Sequence, residues 1–265
     1  MFTSTMAKGA ALALVVAAAA CGDGHGGGDV GTIHAPQGKL WGARFSPDGA
    51  HLSVAYGESD KIGVLDLDSL TLAEKAEGGS YLTGTAWTTN GDTIYYNGAD
   101  GVFSIASEVG LPVMVNDGFA TTGIDVSADG TRLAYGVNGG NARIYTLATH
   151  TETALARRCQ AIRFAPTGDE VACISDGALL VIDLATGAET PVVEFDVPFI
   201  AGVDWYADGQ QLLYTSSRGI ERVTLAGETT LIHGSFAAID VDLAPDESAI
   251  VVGVNGQPDL TLLRL

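Results

Sequence analysis

Basic residues are scarce in this sequence: Lys and Arg number 13 against 32 Asp and Glu, a formal net charge of −19 at pH 7. Such a chain repels phosphate backbones and anionic headgroups, which argues against nucleic acid as a partner and gives high solubility. Recognisable catalytic signatures are missing as well. There is no Gly-x-Ser-x-Gly elbow, no His-Glu-x-x-His and no phosphate loop. The five histidines are scattered, with His34 and His233 at equivalent edge-strand positions, His51 beside a turn and His25 alone among glycines. An isolated His lacks the several ligands that a metal site requires. A site assembled from one residue in each of several repeats would still escape a search for local motifs. Beyond residue 30 no helical stretch is found, so the 265 residues are read as one large all-β domain.

Long apolar runs are limited to one. It extends from Ala10 to Ala20 after Lys8 and ends directly at Cys21. That run is too short to cross a bilayer and reads as a signal peptide over residues 1–20. Cys21 stands where a bacterial lipobox places its lipidated cysteine, although Ala18-Ala19-Ala20 also suits an ordinary signal peptidase. Residues 21–29 then form a glycine-rich tether. The expectation is an exported protein, periplasmic or at the cell surface, that meets the membrane only through a lipid on Cys21. Cysteine is rare, and only Cys159 and Cys173 remain beyond the tether. With a turn at Thr167-Gly168, Ile162 lies opposite Cys173, and Cys159 falls three residues further along with the other parity. This offset argues against a simple cross-strand disulfide.

The sequence is rich in one repeated phrase. Arg44-Phe45-Ser46-Pro47-Asp48-Gly49 returns in altered form around Gly91, Gly130, Gly168, Gly209 and Glu247, at intervals of 38 to 42 residues. In each copy a short alternating strand leads into a tight turn, a second apolar strand and a third of the type Ile62-Gly63-Val64-Leu65-Asp66-Leu67. A fourth follows. Six four-stranded antiparallel units at this period predict a six-bladed β-propeller over residues 30–265. The last copy stops after its third strand, and an unassigned strand near Val30–His34 precedes the first. The N-terminal strand is therefore expected to complete the sixth blade and close the ring.

Phe45-Ser46-Pro47-Asp48-Gly49 followed by the Ile-x-Val-Leu-Asp-Leu strand resembles the WD40-like repeat of TolB-type propellers, and the resemblance covers residues 30–265. TolB also carries an N-terminal α/β domain for which this chain has no room. The resemblance implies a bacterial cell-envelope lipoprotein whose propeller is a binding or scaffolding module for other envelope proteins. The motif specifies a blade and leaves the chemistry open.

Two groups of residues are candidates for a site. The first strands place Arg44, Ala86, Asp125, Arg163, Asp204 and Asp242 on the face that approaches the central channel. In ring order Arg163 is flanked by Asp125 and Asp204, and Arg44 neighbours Asp242, which suits an ion-pair ring. The same residues could instead engage an anionic group or hold a divalent cation. That is the alternative reading of a lactonase- or hydrolase-type enzyme or a small-molecule sensor; no cofactor is otherwise expected. Gly42, Gly84, Gly123 and Gly202 mark where the strands crowd the axis. The second group is a loop rim carrying Trp41, Phe119, Phe199 and Phe236 among carboxylates, a composition suited to a protein partner.

Overall fold

A computed structural model describes residues 30–34, 40–56, 60–77, 82–118, 122–194, 202–234, 238–254 and 259–265. The first strand, β1 (Val30–His34), is followed by six sets of strands. Blade 1 comprises β2 (Leu40–Phe45), β3 (His51–Tyr56), β4 (Lys61–Asp66) and β5 (Leu72–Glu77). Blade 2 comprises β6 (Gly84–Trp87), β7 (Thr93–Gly98), β8 (Gly101–Ala106) and β9 (Val113–Asn116). Blade 3 holds β10 (Thr122–Val126), β11 (Arg132–Gly136), β12 (Arg143–Thr146) and β13 (Thr151–Ala154). In blade 4 the strands are β14 (Ala161–Phe164), β15 (Glu170–Ser175), β16 (Ala178–Asp183) and β17 (Glu189–Glu194). Blade 5 contains β18 (Val203–Trp205), β19 (Gln211–Ser216), β20 (Gly219–Thr224) and β21 (Thr229–Gly234). Blade 6 is completed across the chain ends. Its order is β22 (Ala238–Leu243), β23 (Ala249–Val254), β24 (Asp259–Arg264) and then β1, with Val30 opposite Leu263 and His34 opposite Asp259. The ring closes as the repeat count requires, a six-bladed propeller of four-stranded antiparallel sheets.

The repeat phrase closes on a left-handed glycine in blades 1, 2, 3 and 5, at Gly49, Gly91, Gly130 and Gly209. In blade 1 the Ser46 hydroxyl donates to Asp48 Oδ1 at 2.5 Å and accepts from the His51 amide at 2.9 Å, while Gly49 adopts a φ of +71°. Side-chain oxygens of Ser and Asp satisfy turn amides that have no ladder partner, and glycine enters the left-handed region without a Cβ clash. Blade 6 has no such glycine. Glu247 takes the left-handed position with a φ of +59°, and its Oε1 accepts the Ala207 amide of blade 5 at 2.9 Å.

The core is divided into six layers, one between each pair of neighbouring blades. One joins Leu52, Val54 and Tyr56 of blade 1 to Ala244, Val251 and Leu260 of blade 6. Another joins Ala172, Ile174 and Val181 of blade 4 to Val203, Leu212 and Tyr214 of blade 5. Middle strands are buried on both faces, which is why β3 and β15 read as nearly continuous apolar runs. Tyr96, Tyr135 and Tyr214 occupy one equivalent place on the second strands and are fully buried.

Cys173 takes that tyrosine position in blade 4, and it is bridged to Cys159 with 5.3 Å between Cα atoms. This corrects the expectation from strand parity. Ile162 does face Cys173, but β14 begins only at Ala161 and Cys159 lies in the connection before it. Alternation of sides holds within a strand and fails where the chain leaves it. Both cysteines are buried in the layer between blades 3 and 4, so the bridge fills the space that a tyrosine ring fills in other blades. The double substitution Cys159→Ala/Cys173→Ala should lower the free energy of unfolding by about 3 kcal/mol, the loop-closure contribution for a bridge of this span. Urea denaturation with and without reductant measures it, and an unchanged midpoint would refute the stabilising role.

Candidate functional site on the propeller axis

The first strand of each blade lines the axis, and alternation turns every second side chain inward. Arg44, Arg163 and Asp242 are 7%, 3% and 7% exposed. A fourth inward carboxylate, Asp240, is 8% exposed and lies two residues before Asp242 on the same strand. Burying these charges is costly unless each finds partners.

The carboxylates spend their oxygens on backbone amides of the next blade. Asp125 Oδ2 accepts the Phe164 amide at 2.7 Å, Asp204 Oδ2 accepts the Leu243 amide at 2.7 Å, and Asp242 Oδ2 accepts the Phe45 amide at 2.7 Å. One chemical clasp therefore ties blade 3 to 4, blade 5 to 6 and blade 6 to 1. Where the axial residue is Arg, the clasp changes: Trp87 Nε1 donates to the Arg44 carbonyl and Trp205 Nε1 to the Arg163 carbonyl, both at 3.2 Å. Blade 2 places uncharged Ala86 on the axis. It is fastened instead by the Ser53–Thr85 hydroxyl pair at 2.7 Å and by Asn97 Nδ2 donating to the Gly123 carbonyl at 3.2 Å.

The guanidinium groups are not arranged as an alternating ring. Arg44 makes a two-pronged bond to Asp240, Nη1 to Oδ2 at 2.6 Å and Nη2 to Oδ1 at 2.8 Å, with Asp242 Oδ1 3.6 Å from Nε. Arg163 donates to the Ile162 and Ile124 carbonyls at 2.9 and 3.1 Å, and its nearest carboxylate is Asp240 at 3.7 Å. The expected hold of Asp125 and Asp204 on Arg163 is replaced, because those carboxylates are already engaged by amides. Arg163 Nε and Nη2 are buried without a hydrogen-bond partner.

Asp240 is the residue that the sequence reading missed. Its row along the strands reads Gly42, Gly84, Gly123, Ala161, Gly202 and Asp240, and the single break in a run of small residues was the available signal. A Cβ on Gly42 would come within 3.2 Å of Asp240 Oδ2, and one on Gly202 within 2.4 Å of the Val241 nitrogen. Small neighbours are what admit the one large residue.

Four carboxylates face two guanidiniums here, and burial raises every one of the four. Asp125 is pushed up to about 7, with the Phe164 amide opposing, and Asp204 to about 6, with the Leu243 amide and Arg44 opposing. Asp240 is raised by burial against the pull of Arg44. Asp242 is raised well above the usual range, by burial and then by the charge of Asp204. Burial alone would lower Arg44, but Asp240 and Asp242 hold it above its ordinary value. Among the described residues no group of three or more His, Cys, Asp or Glu is arranged to hold a metal ion.

Of the rim candidates, Trp41 is the extra residue where β2 shifts register against β3, and it is 36% exposed. Phe119, Phe199 and Phe236, like Cys21, lie outside the described residues. A surface that the sequence reading did not single out lies on the opposite face, where the turns gather. A groove of about 950 Å³ opens there between blades 1 and 2, lined by Asp48, His51, Asp66, Lys75, Trp87 and Glu108 among others.

Two outcomes check the axis. Asp240→Asn should destabilise the fold by about 3 kcal/mol by leaving Arg44 short of charge, and adding Arg44→Met should recover much of that loss. A double variant as unstable as the single one would refute the pairing. The second concerns pH. Since folding raises Asp125 from 3.8 to about 7, the folded state binds its proton more tightly. The stabilisation is therefore fullest below the unfolded value and fades as pH rises through 4 to 7. The slope is at most about 1.4 kcal/mol per pH unit for each such group. Asp125→Asn keeps an acceptor for the Phe164 amide and should flatten this slope in denaturation series; a slope equal to that of the parent would overturn the assignment.

No family model and no curated protein sequence matches the chain. Among solved structures it is similar to a chain of Kuenenia stuttgartiensis hydrazine synthase, with a TM-score of 0.66 and 15% identity over 84% of this chain and 76% of that one. It is also similar to a chain in the crystal structure of the mitotic checkpoint complex, with a TM-score of 0.66 and 14% identity over 88% of this chain and 93% of that one. At this identity the likeness establishes the propeller fold alone.

Proposed function

We propose that the protein is an interaction module of the bacterial cell envelope, exported through residues 1–20 and anchored by a lipid on Cys21, with other envelope proteins as partners. The propeller fold is consistent with such a role, and the repeat resemblance to TolB-type propellers supports the envelope setting. One observation carries the reading. In a chain of net charge −19, Val109, Leu111, Val113 and Met114 are 90%, 84%, 61% and 54% exposed within six consecutive residues. Contiguous exposed apolar side chains mark interaction sites on proteins that otherwise keep a charged surface.

The test compares the full chain with two variants in a bacterial host. Cys21→Ala should move the protein from the membrane to the soluble fraction, and an unchanged distribution would sink the anchor. Leu111→Asp/Met114→Asp, both at exposed positions, should keep the parent melting temperature while losing the envelope proteins that cross-link to the parent. Equal cross-linking by parent and variant would refute the apolar run as the binding surface.

A further inference from the structure

The outer strand of a propeller blade has one side without a ladder partner, and such edges are ordinarily screened by charge or proline. In this protein β5 carries Glu74, Lys75 and Glu77, β13 carries Glu152, and β17 carries Glu189, Pro191 and Glu194. The strand β21 opens with Thr229 and Thr230 and shows one large exposed apolar residue, Leu231. The outer strand of blade 2 differs. Like β21 and like β1 of blade 6, β9 has neither formal charge nor proline, but it exposes two large apolar residues, Val113 and Met114; it pairs with β8 on one side and, among the described residues, with no strand on the other.

This edge is continuous with the groove between blades 1 and 2. Val109 lines the groove and begins the apolar run that continues through Leu111 to Val113 and Met114. Glu108, the residue before it, fixes the junction: its carbonyl accepts Lys75 Nζ of blade 1 at 2.9 Å. Four carboxylates line the groove, Asp48, Asp66, Asp92 and Glu108, against a single lysine and His51. His51 already lies 3.8 and 3.6 Å from Asp48 and Asp66, whereas Asp92, whose Oδ2 accepts Asn90 Nδ2 at 2.8 Å, and Glu108 stand exposed on the blade 2 wall, with neither carboxylate in an ion pair among the described residues.

We propose that β9 and this groove form one docking surface for an extended, lysine- or arginine-bearing segment of a partner protein, which adds to blade 2 as a fifth strand. The inference rests on reading the propeller as an interaction module and names the partner's chemistry. Apart from the Val115 carbonyl, which already accepts the Tyr145 hydroxyl at 3.1 Å, the open edge supplies main-chain hydrogen bonds, the apolar run receives alternate side chains, and the carboxylates receive the basic ones. A second copy of this chain is disfavoured by its own net charge of −19.

The probe is a labelled decapeptide alternating Lys and Val, with a Glu–Val decapeptide as its counterpart, titrated into the mature chain and followed by fluorescence anisotropy. The Lys–Val peptide should bind and the Glu–Val peptide should not. Asp92→Asn/Glu108→Gln and, separately, Val113→Lys/Met114→Lys should each weaken binding about tenfold. The charge-matched control Asp208→Asn/Glu228→Gln on blade 5 should bind as the parent does. Amides of residues 109–114 should gain protection from hydrogen exchange when the peptide is bound. Equal weakening by the blade 5 control, or binding without protection of that segment, would mean diffuse attraction to an acidic surface and would overturn the proposal. If Leu111→Asp/Met114→Asp abolishes cross-linking in the envelope while the Lys–Val peptide fails to bind, the interaction module stands and the basic-strand partner is wrong. If cross-linking survives that variant, the prior reading has failed by itself.

Discussion

Buried charge on the axis is the constraint to which the rest of the structure answers. Six first strands converge there, and their crowding leaves room for little beyond glycine in one row and one turn of polar side chains in the next. A carboxylate placed in that setting must find donors or lose its charge. Asp125, Asp204 and Asp242 find them in the amide of the following blade. Two of these bonds join residues 39 apart in the chain, and the Asp242 bond joins residues 197 apart. The Arg44–Asp240 pair then holds blade 1 to the innermost strand of blade 6, across 196 residues of sequence.

That arrangement places limits on what the axis can do. One oxygen of each of Asp125, Asp204 and Asp242 accepts a main-chain amide, Asp240 holds Arg44, and Arg163 donates to carbonyl oxygens while its Nε and Nη2 have no hydrogen-bond partner. Three of these axial carboxylates each tie one blade to the next. Surface chemistry also differs between blades. Blade 2 is distinctive there: it contributes the uncharged Ala86 to the axis and carries the exposed apolar run on its outer edge.

Departures from the repeat have local physical causes. Cys173 stands where three other blades bury a tyrosine, and the bridge to Cys159 fills the layer and fixes the connection into β14. Trp87 and Trp205 follow the two arginine blades, and each indole donates to the arginine's carbonyl in place of the carboxylate clasp used elsewhere. A repeat protein tolerates such exchanges because each blade meets only its neighbours, so a substitution needs compensation in one layer.

The sequence by itself determined the number of blades, the order of strands within them, the turns built on Ser46, Asp48 and Gly49, and the closure by Val30–His34. These follow from local rules: side chains alternate along a strand, and turn residues act on amides two to five positions away. It also identified Arg44, Asp125, Arg163, Asp204 and Asp242 as axial, since parity alone decides which way a strand residue faces. Only the tertiary structure decided what those residues touch. Asp240 pairs with Arg44 from 196 residues away, the Cys159–Cys173 bridge forms because the chain leaves strand geometry before Ala161, and the apolar edge of β9 meets a carboxylate groove built partly by blade 1. Partner choice among charges depends on distances between blades, and no periodicity in one strand encodes those distances.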